Sequence, residues 1–322
     1  MAKDTSTRTD VQPSDAFKMF PEFSKLTLAD RKKYEAFIKD YPPVADTAFS
    51  ILMMWWNVLD SCAVSSLNGN LIISYWFPGD EKISGLSLIG KNNIDQTMCT
   101  IFDQMRSKGD RPRLIHVPEY VIEHIAHSEL FKIKSERSFD EYILDISKYY
   151  PIRSAVSVRR HRIRRFLKNV GDDPVIVKSL DLSNPDNADL LLDFSKQWFG
   201  KGIVNTTVKS ANEAADFAIR EADMIGIQNA CLFVGGELHG YILYTIPADK
   251  RYAIFGHAMV NADRPYTFDY MVHAFAEWFS DMGVRYVNID SDLGLPLVRM
   301  LKVTLGPVNY FRKYTIEPAS NT

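Results

Sequence analysis

The order of helix-forming and strand-forming segments runs along this chain twice, and that recurrence constrains the fold more than any single motif. Apolar residues at three-to-four spacing mark a helix over residues 28–41, which Thr27 can cap and Pro42-Pro43 stops. A short helix over 47–56 is too apolar for a surface, so its Met-Met-Trp-Trp run reads as core. Residues 62–77 read as a hairpin, because two apolar runs flank Leu67-Asn68-Gly69-Asn70 and Asn-Gly favours the tight turn. A helix over 94–108, a strand over 113–117, a helix over 119–126 and a strand over 141–146 complete the first pass. The second pass opens with a helix over 154–170 and a strand over 175–180. Helices over 187–199 and 210–225 follow, then a hairpin of strands 230–234 and 241–246 around Gly235-Gly236-Glu237. A strand over 252–259, a helix over 268–282, a strand over 285–289, a helix over 295–304 and a strand over 310–315 end it. The 322 residues exceed one ordinary core. Each pass therefore reads as a domain, residues 21–150 and 151–322, with the boundary at Tyr149-Tyr150-Pro151 and a disordered polar tail over 1–20.

The helix over 154–170 carries the chain's densest charge. Arg153, Arg159, Arg160, Arg162, Arg164, Arg165 and Lys168 crowd around His161, and no Asp or Glu lies between Asp145 and Asp172. Ile163, Phe166, Leu167 and Val170 fall on one face, and His161, Arg164, Arg165 and Lys168 share another. Solvated faces usually mix signs, and arginine forks suit phosphate oxygens, so this face is a candidate for tRNA, a lipid headgroup or a nucleotide. The net charge of the whole chain is only −2, so any phosphate partner is held at a site rather than coated by a basic protein.

Other classes fall away on composition. With 46% hydrophobic and 24% charged residues, and no apolar run of membrane-span length, the chain reads as a soluble cytoplasmic protein. Any membrane contact would be peripheral, at the inner face. Cys62, Cys99 and Cys231 are too scattered for a metal site or a disulfide framework. The histidines show no HxxxH or HExxH spacing, and the close pair His124 and His127 has no third ligand, so no metal is expected.

Helices, an antiparallel meander, then helix, strand, helix and strand is the element order of GNAT-type acyltransferases. The expected fold is therefore α/β (α+β), two tandem GNAT-like domains with mixed, mostly antiparallel sheets flanked by helices. Acetyl-coenzyme A enzymes of this fold carry a glycine-rich loop that cradles pyrophosphate. The corresponding stretch here, Val260-Asn261-Ala262-Asp263-Arg264-Pro265-Tyr266-Thr267, has no glycine, which disfavours acetyl-coenzyme A as the donor.

Four stretches resemble the C-terminal domain of bacterial phosphatidylglycerol lysyltransferases and its stand-alone relatives. These are Tyr41-Pro42-Pro43 with Asp46, Phe49 and Trp55; residues 159–166 of the basic helix; Tyr286-Val287-Asn288-Ile289-Asp290-Ser291-Asp292-Leu293-Gly294; and an ending made of residues 299–302, Pro307 and Lys313-Tyr314. His161 and Arg164 stand where the family tends to have Asn, and Asp290 where it has Glu. The resemblance implies aminoacyl transfer from a charged tRNA, with no further cofactor, to a hydroxyl or amine acceptor. An anionic phospholipid at a membrane surface is one such acceptor; a peptide, protein or small molecule is another.

An aminoacyl ester is already activated, so catalysis needs positioning, a base and oxyanion donors. Asp290 and Asp292, at i, i+2 spacing after a buried-looking strand, are candidate catalytic groups, each with a turn or helix-cap role as the alternative. His257, central in the second meander, is a third candidate. Candidate substrate and phosphate contacts are Arg159, Arg160, His161, Arg164, Asn288, Arg299 and Lys302, the last two one helical turn apart. Two other readings are an acyl-coenzyme A-dependent N-acyltransferase and a non-catalytic module that binds anionic lipid or RNA.

Overall fold

The computed structural model describes residues 17–57, 62–76, 84–200, 206–261 and 263–319. Their strands are β1 (Ser24–Lys25), β2 (Cys62–Leu67), β3 (Asn70–Tyr75), β4 (Gly85–Ile89), β5 (Leu114–Pro118), β6 (Phe131–Ser135) and β7 (Glu141–Asp145) from the first half. The second half supplies β8 (Val175–Lys178), β9 (Gln228–Val234), β10 (Glu237–Thr245), β11 (Tyr252–Val260), β12 (Tyr286–Asn288), β13 (Asn309–Phe311) and β14 (Lys313–Pro318). One sheet has the order β1-β2-β3-β4-β5-β14-β6 and the other β13-β7-β12-β11-β10-β9-β8. Among the described strands only β4–β5 and β11–β12 are parallel pairs, so both sheets are mixed and mostly antiparallel, as the element order implied.

The halves exchange strands. β7 inserts between β12 and β13 of the second sheet, and β14 returns from the far end of the chain to lie between β5 and β6 of the first. The single last strand expected over 310–315 is two strands in different sheets, parted at Arg312. Three strands, β1, β4 and β6, were not anticipated. β4 is a short run between Gly85 and Gly90, and β6 is an edge strand whose lysines alternate with apolar residues.

Local chemistry accounts for the elements that frame the site. Asn68 and Gly69 both take positive φ, 52° and 75°, which is the primed turn that twists correctly into the β2–β3 ladder. Helix Ser157–Val170 buries Ile163, Phe166 and Val170, and Phe166 stacks on Tyr270 of helix Thr267–Asp281 at 4.5 Å. Leu167, expected on the same apolar face, is 42% exposed instead. The helix Phe49–Leu52 wedges the halves together. Its Ser50 hydroxyl donates to the Ile225 carbonyl at 2.6 Å, and Ile51 and Leu52 share a core with Leu243 and Ile254. Phe17, inside the expected tail, is buried against Tyr34, while residues 1–16 lie outside the described residues.

Candidate active site

β11 and β12 run parallel only from the Tyr252–Tyr286 pair to the Ile254–Asn288 pair. Beyond that point the strands part, and a pocket of about 450 Å³ opens between Phe255–Ala258 on one side and Ile289–Ser291 on the other. Helix Thr267–Asp281 closes it with Phe268, Met271 and Phe275, and helix Pro296–Thr304 contributes Leu301. Trp55 also lines it, so this tryptophan of the Met-Met-Trp-Trp run is pocket wall, whereas Met53 and Met54 are core.

Among the described lining residues the charged groups are Asp290 and Lys302. Asp290 follows β12 in a left-handed conformation, φ 61°, which is rare outside glycine and is held in place locally. Its N–H donates to Asn288 Oδ1 at 2.9 Å, and its own Oδ1 accepts from the Ser291 N–H at 2.6 Å. Burial pushes its carboxyl above the usual range and Asp46 adds to that, while Lys302 and Lys313 oppose it. Lys302 Nζ donates to the carbonyls of Ile289 and Ser291, both at 2.5 Å. An ammonium has three donors; two go to these carbonyls, and the Nζ also lies over the Tyr142 ring at 5.9 Å. Burial pulls its basicity down, against the attraction of Asp290.

Behind Asp290 lies a buried ionic hub that ties the exchanged strands together. The Lys313 ammonium, fully buried on β14, pairs with Asp46 and with Glu141 of β7, the latter at 2.6 Å. Burial disfavours its charge, but Asp46, Glu141 and Asp290 overcome that and raise its pKa. Glu141 also accepts from the Ala45 N–H at 2.8 Å and from Asn288 Nδ2 at 2.5 Å. Asp46, Glu141 and Asp290 bring carboxylate oxygens within 4.8 Å of one another, a grouping that could hold a cation. The ammonium of Lys313, paired with two of the three, supplies positive charge there.

The other sequence candidates are dispersed. Asn288 is buried in the hub as a bridge from Glu141 and the Pro43 carbonyl to Asp290, and it is not among the described residues that line the pocket. Asp292 is fully buried and consumed by partners. It accepts two bonds from Arg299, at 2.8 and 2.9 Å, one from the Tyr142 hydroxyl at 2.5 Å, and one from the Gly294 N–H at 2.8 Å. Burial raises its carboxyl, yet these donors prevail and hold it at about 2. Arg299 is thereby spent on Asp292 and does not join Lys302 in a clamp. His257 lines the pocket wall. Its Nε2 is buried without a hydrogen-bond partner among the described residues, and burial drops its pKa to about 4, which keeps the ring neutral.

Asp292 carries a stability prediction. A carboxylate held near 2 contributes stability above its ordinary value of 3.8 and loses that contribution as the pH falls toward 2. The loss should be on the order of 2 kcal/mol, read as a falling urea midpoint over that acid window. Arg299→Gln should flatten the fall.

On the basic helix, Arg159 stacks over Tyr149 at 4.9 Å and faces Asp269 at 3.6 Å, and Arg160 donates to the Arg153 and Ala155 carbonyls. Both are thus engaged by groups of the fold itself. His161, Arg164 and Lys168 are exposed on the outer side, with helix Thr267–Asp281 between them and the pocket. The sequence picked out Asp46 and Lys313 only as marks of resemblance and gave Glu141 no role. The available signal was a charged residue starting each of two strands whose burial patterns leave no room for an unpaired charge.

Two linked sheets of this topology, with a pocket where the parallel pair splays, define a tandem GNAT-like acyltransferase fold. The chain belongs to the family described as phosphatidylglycerol lysyltransferase, C-terminal, whose model matches residues 41–305. A conserved protein of unknown function from Bacteroides thetaiotaomicron VPI-5482 superposes with a TM-score of 0.77 at 18% identity, covering 92% of this chain and 99% of that one. L-PGS from Bacillus licheniformis gives 0.58 at 15% identity, covering 90% and 92%. FemX gives 0.55 at 9% identity, covering 91% and 96%. No curated protein matches the chain in sequence.

Proposed function

We propose that the protein is an aminoacyltransferase that moves an aminoacyl group from aminoacyl-tRNA to a hydroxyl or amine at the polar end of the pocket. The observation that carries this reading is the juxtaposition of Asp290 and Lys302 at that end, in a chain of this family. Asp290 takes the proton of the attacking O–H or N–H as the new bond to the ester carbonyl forms. The third N–H of Lys302 donates to the carbonyl oxygen as it gains charge. The C–O bond to the tRNA ribose then breaks, and Asp290 returns the proton to the departing hydroxyl. A carboxyl whose basicity burial raises suits both halves of that exchange.

The exposed outer face of the basic helix, with His161, Arg164 and Lys168, is the proposed tRNA contact. The start of helix Thr267–Asp281 supports tRNA over coenzyme A. There a GNAT enzyme would hold pyrophosphate, but here Asp269 occupies the first turn and draws Arg159 and Arg162 to itself, at 3.6 and 3.5 Å. An anionic phospholipid is the acceptor that the family description suggests. Among the described residues no helix is long and apolar enough to cross a membrane, so such an acceptor would be met at a membrane surface, on the cytoplasmic side where tRNA is found.

Filter binding of tRNA across a salt series tests the interface. Affinity should fall steeply with salt, and Arg164→Ala and Lys168→Ala should each weaken binding and reduce the log–log slope by about 1. Thermal protection by coenzyme A without any tRNA binding would favour the acyl-coenzyme A reading instead.

A further inference from the structure

We propose that the pocket between β11 and β12 holds a single unbranched acyl chain, with its polar head beside Asp290 and Lys302. This deepens the transferase reading and rests on it only for the placement of the head.

Volume argues first. A dry cavity of about 150 Å³ accommodates benzene, with its six carbons. By that scale a pocket of about 450 Å³ takes roughly 18 non-hydrogen atoms. A lysyl side chain would fill less than a third of it. Chemistry argues second. The ammonium at the end of a lysyl group needs an acid deep in the pocket, yet Asp290 is the only acid among the described lining residues. The same residue is already flanked by Lys302 and takes its place at the reacting end. The rest of the wall is almost wholly aliphatic and aromatic. The mouth argues third. Leu293 and Leu301 line the pocket and are 55% and 45% exposed, and Leu297 and Met300 extend the apolar surface outward at 76% and 61%. An apolar rim of this kind is costly for a protein whose ligand arrives dissolved in water, and it suits a chain handed over from a lipid layer or a carrier.

The chain could arrive as a free fatty acid, as a thioester or as one chain of a glycerophospholipid, and binding assays separate these sources. Saturated fatty acids from octanoate to palmitate should bind about fourfold more tightly per added methylene until the pocket is filled. The palmitoyl thioester of coenzyme A and palmitoyl lysophosphatidylglycerol, run beside palmitate, show which head is preferred. Tight, length-dependent binding of any of the three supports the assignment. Leu301→Trp should block the entrance and weaken the preferred palmitoyl ligand at least about tenfold. Val303→Trp, on the same helix but not in the pocket wall, should leave it unchanged. Binding that ignores chain length, or that Leu301→Trp and Val303→Trp weaken equally, would overturn the proposal and reduce the helix to a sticky surface. No donor is present in these assays, so absent transfer activity does not touch the pocket assignment. Absent chain binding likewise leaves aminoacyl transfer standing.

Discussion

Asp290→Asn should lower the rate of aminoacyl transfer by at least about a hundredfold while leaving the fold and tRNA affinity intact, because the amide keeps the shape but cannot accept the proton. The carboxyl accepts the Ser291 N–H, and an asparagine oxygen can do the same, so the left-handed turn survives the substitution. The pH dependence adds a second signature. Burial and Asp46 raise the Asp290 carboxyl, so the ascending limb of the wild-type rate should lie above the ordinary carboxylate range. That limb should vanish in the variant. Full activity in Asp290→Asn would remove this residue from the chemistry and leave His257, on the same pocket wall, as the remaining candidate base.

Lys313→Met should cost about 3–5 kcal/mol of stability, the largest effect expected of any single change in the described hub. The loss comes from stranding acids rather than from the lysine's own favourable burial. Glu141 is fully buried, and Asp46 and Asp290 lie within 4.8 Å of it. Without the ammonium, their mutual repulsion and desolvation go uncompensated. Glu141→Gln in the Lys313→Met background should therefore recover part of the loss, as measured by urea unfolding. A single-variant cost below about 1 kcal/mol would mean that the acids are already neutral and the hub is not ionic. The same substitution reaches the active site. Lys313 opposes the rise of the Asp290 carboxyl, so removing it should move the ascending limb of the rate to higher pH.

The sequence exposed the motif better than the assembly around it. Residues 286–294 placed Asn288, Asp290 and Asp292 together because strand alternation and a following turn are local properties. Asp290 emerges in the pocket and Asp292 does not, although both were candidates. What separates them is Arg299 and Tyr142, which satisfy Asp292 from the next helix and from β7. Tyr142 is distant in sequence, so no spacing rule reveals the contact. The exchange of β7 and β14 was equally hidden, since either strand carries an apolar pattern that fits both sheets. The basic helix was legible as an element and as a charged face. Which of its cations are engaged within the fold, as Arg159 is by Tyr149 and by Asp269 of a later helix, and which stand exposed was not legible from the charge run. Trp55 shows the same limit. An apolar run announces burial, but whether a side chain fills a core or walls a pocket depends on where β11 and β12 part.

The proposed aminoacyl transfer is tested most directly by one measurement. Purified protein is mixed with a pool of radiolabelled aminoacyl-tRNAs, together with total membrane lipid and a soluble extract of small acceptors, with Asp290→Asn run in parallel. Label should appear in a lipid or soluble product with the wild type and be lost with the variant, and the labelled product identifies the acceptor. Label that stays on tRNA or appears only as free amino acid, with the wild type bound to tRNA in a salt-dependent way, would contradict aminoacyl transfer and leave a binding module.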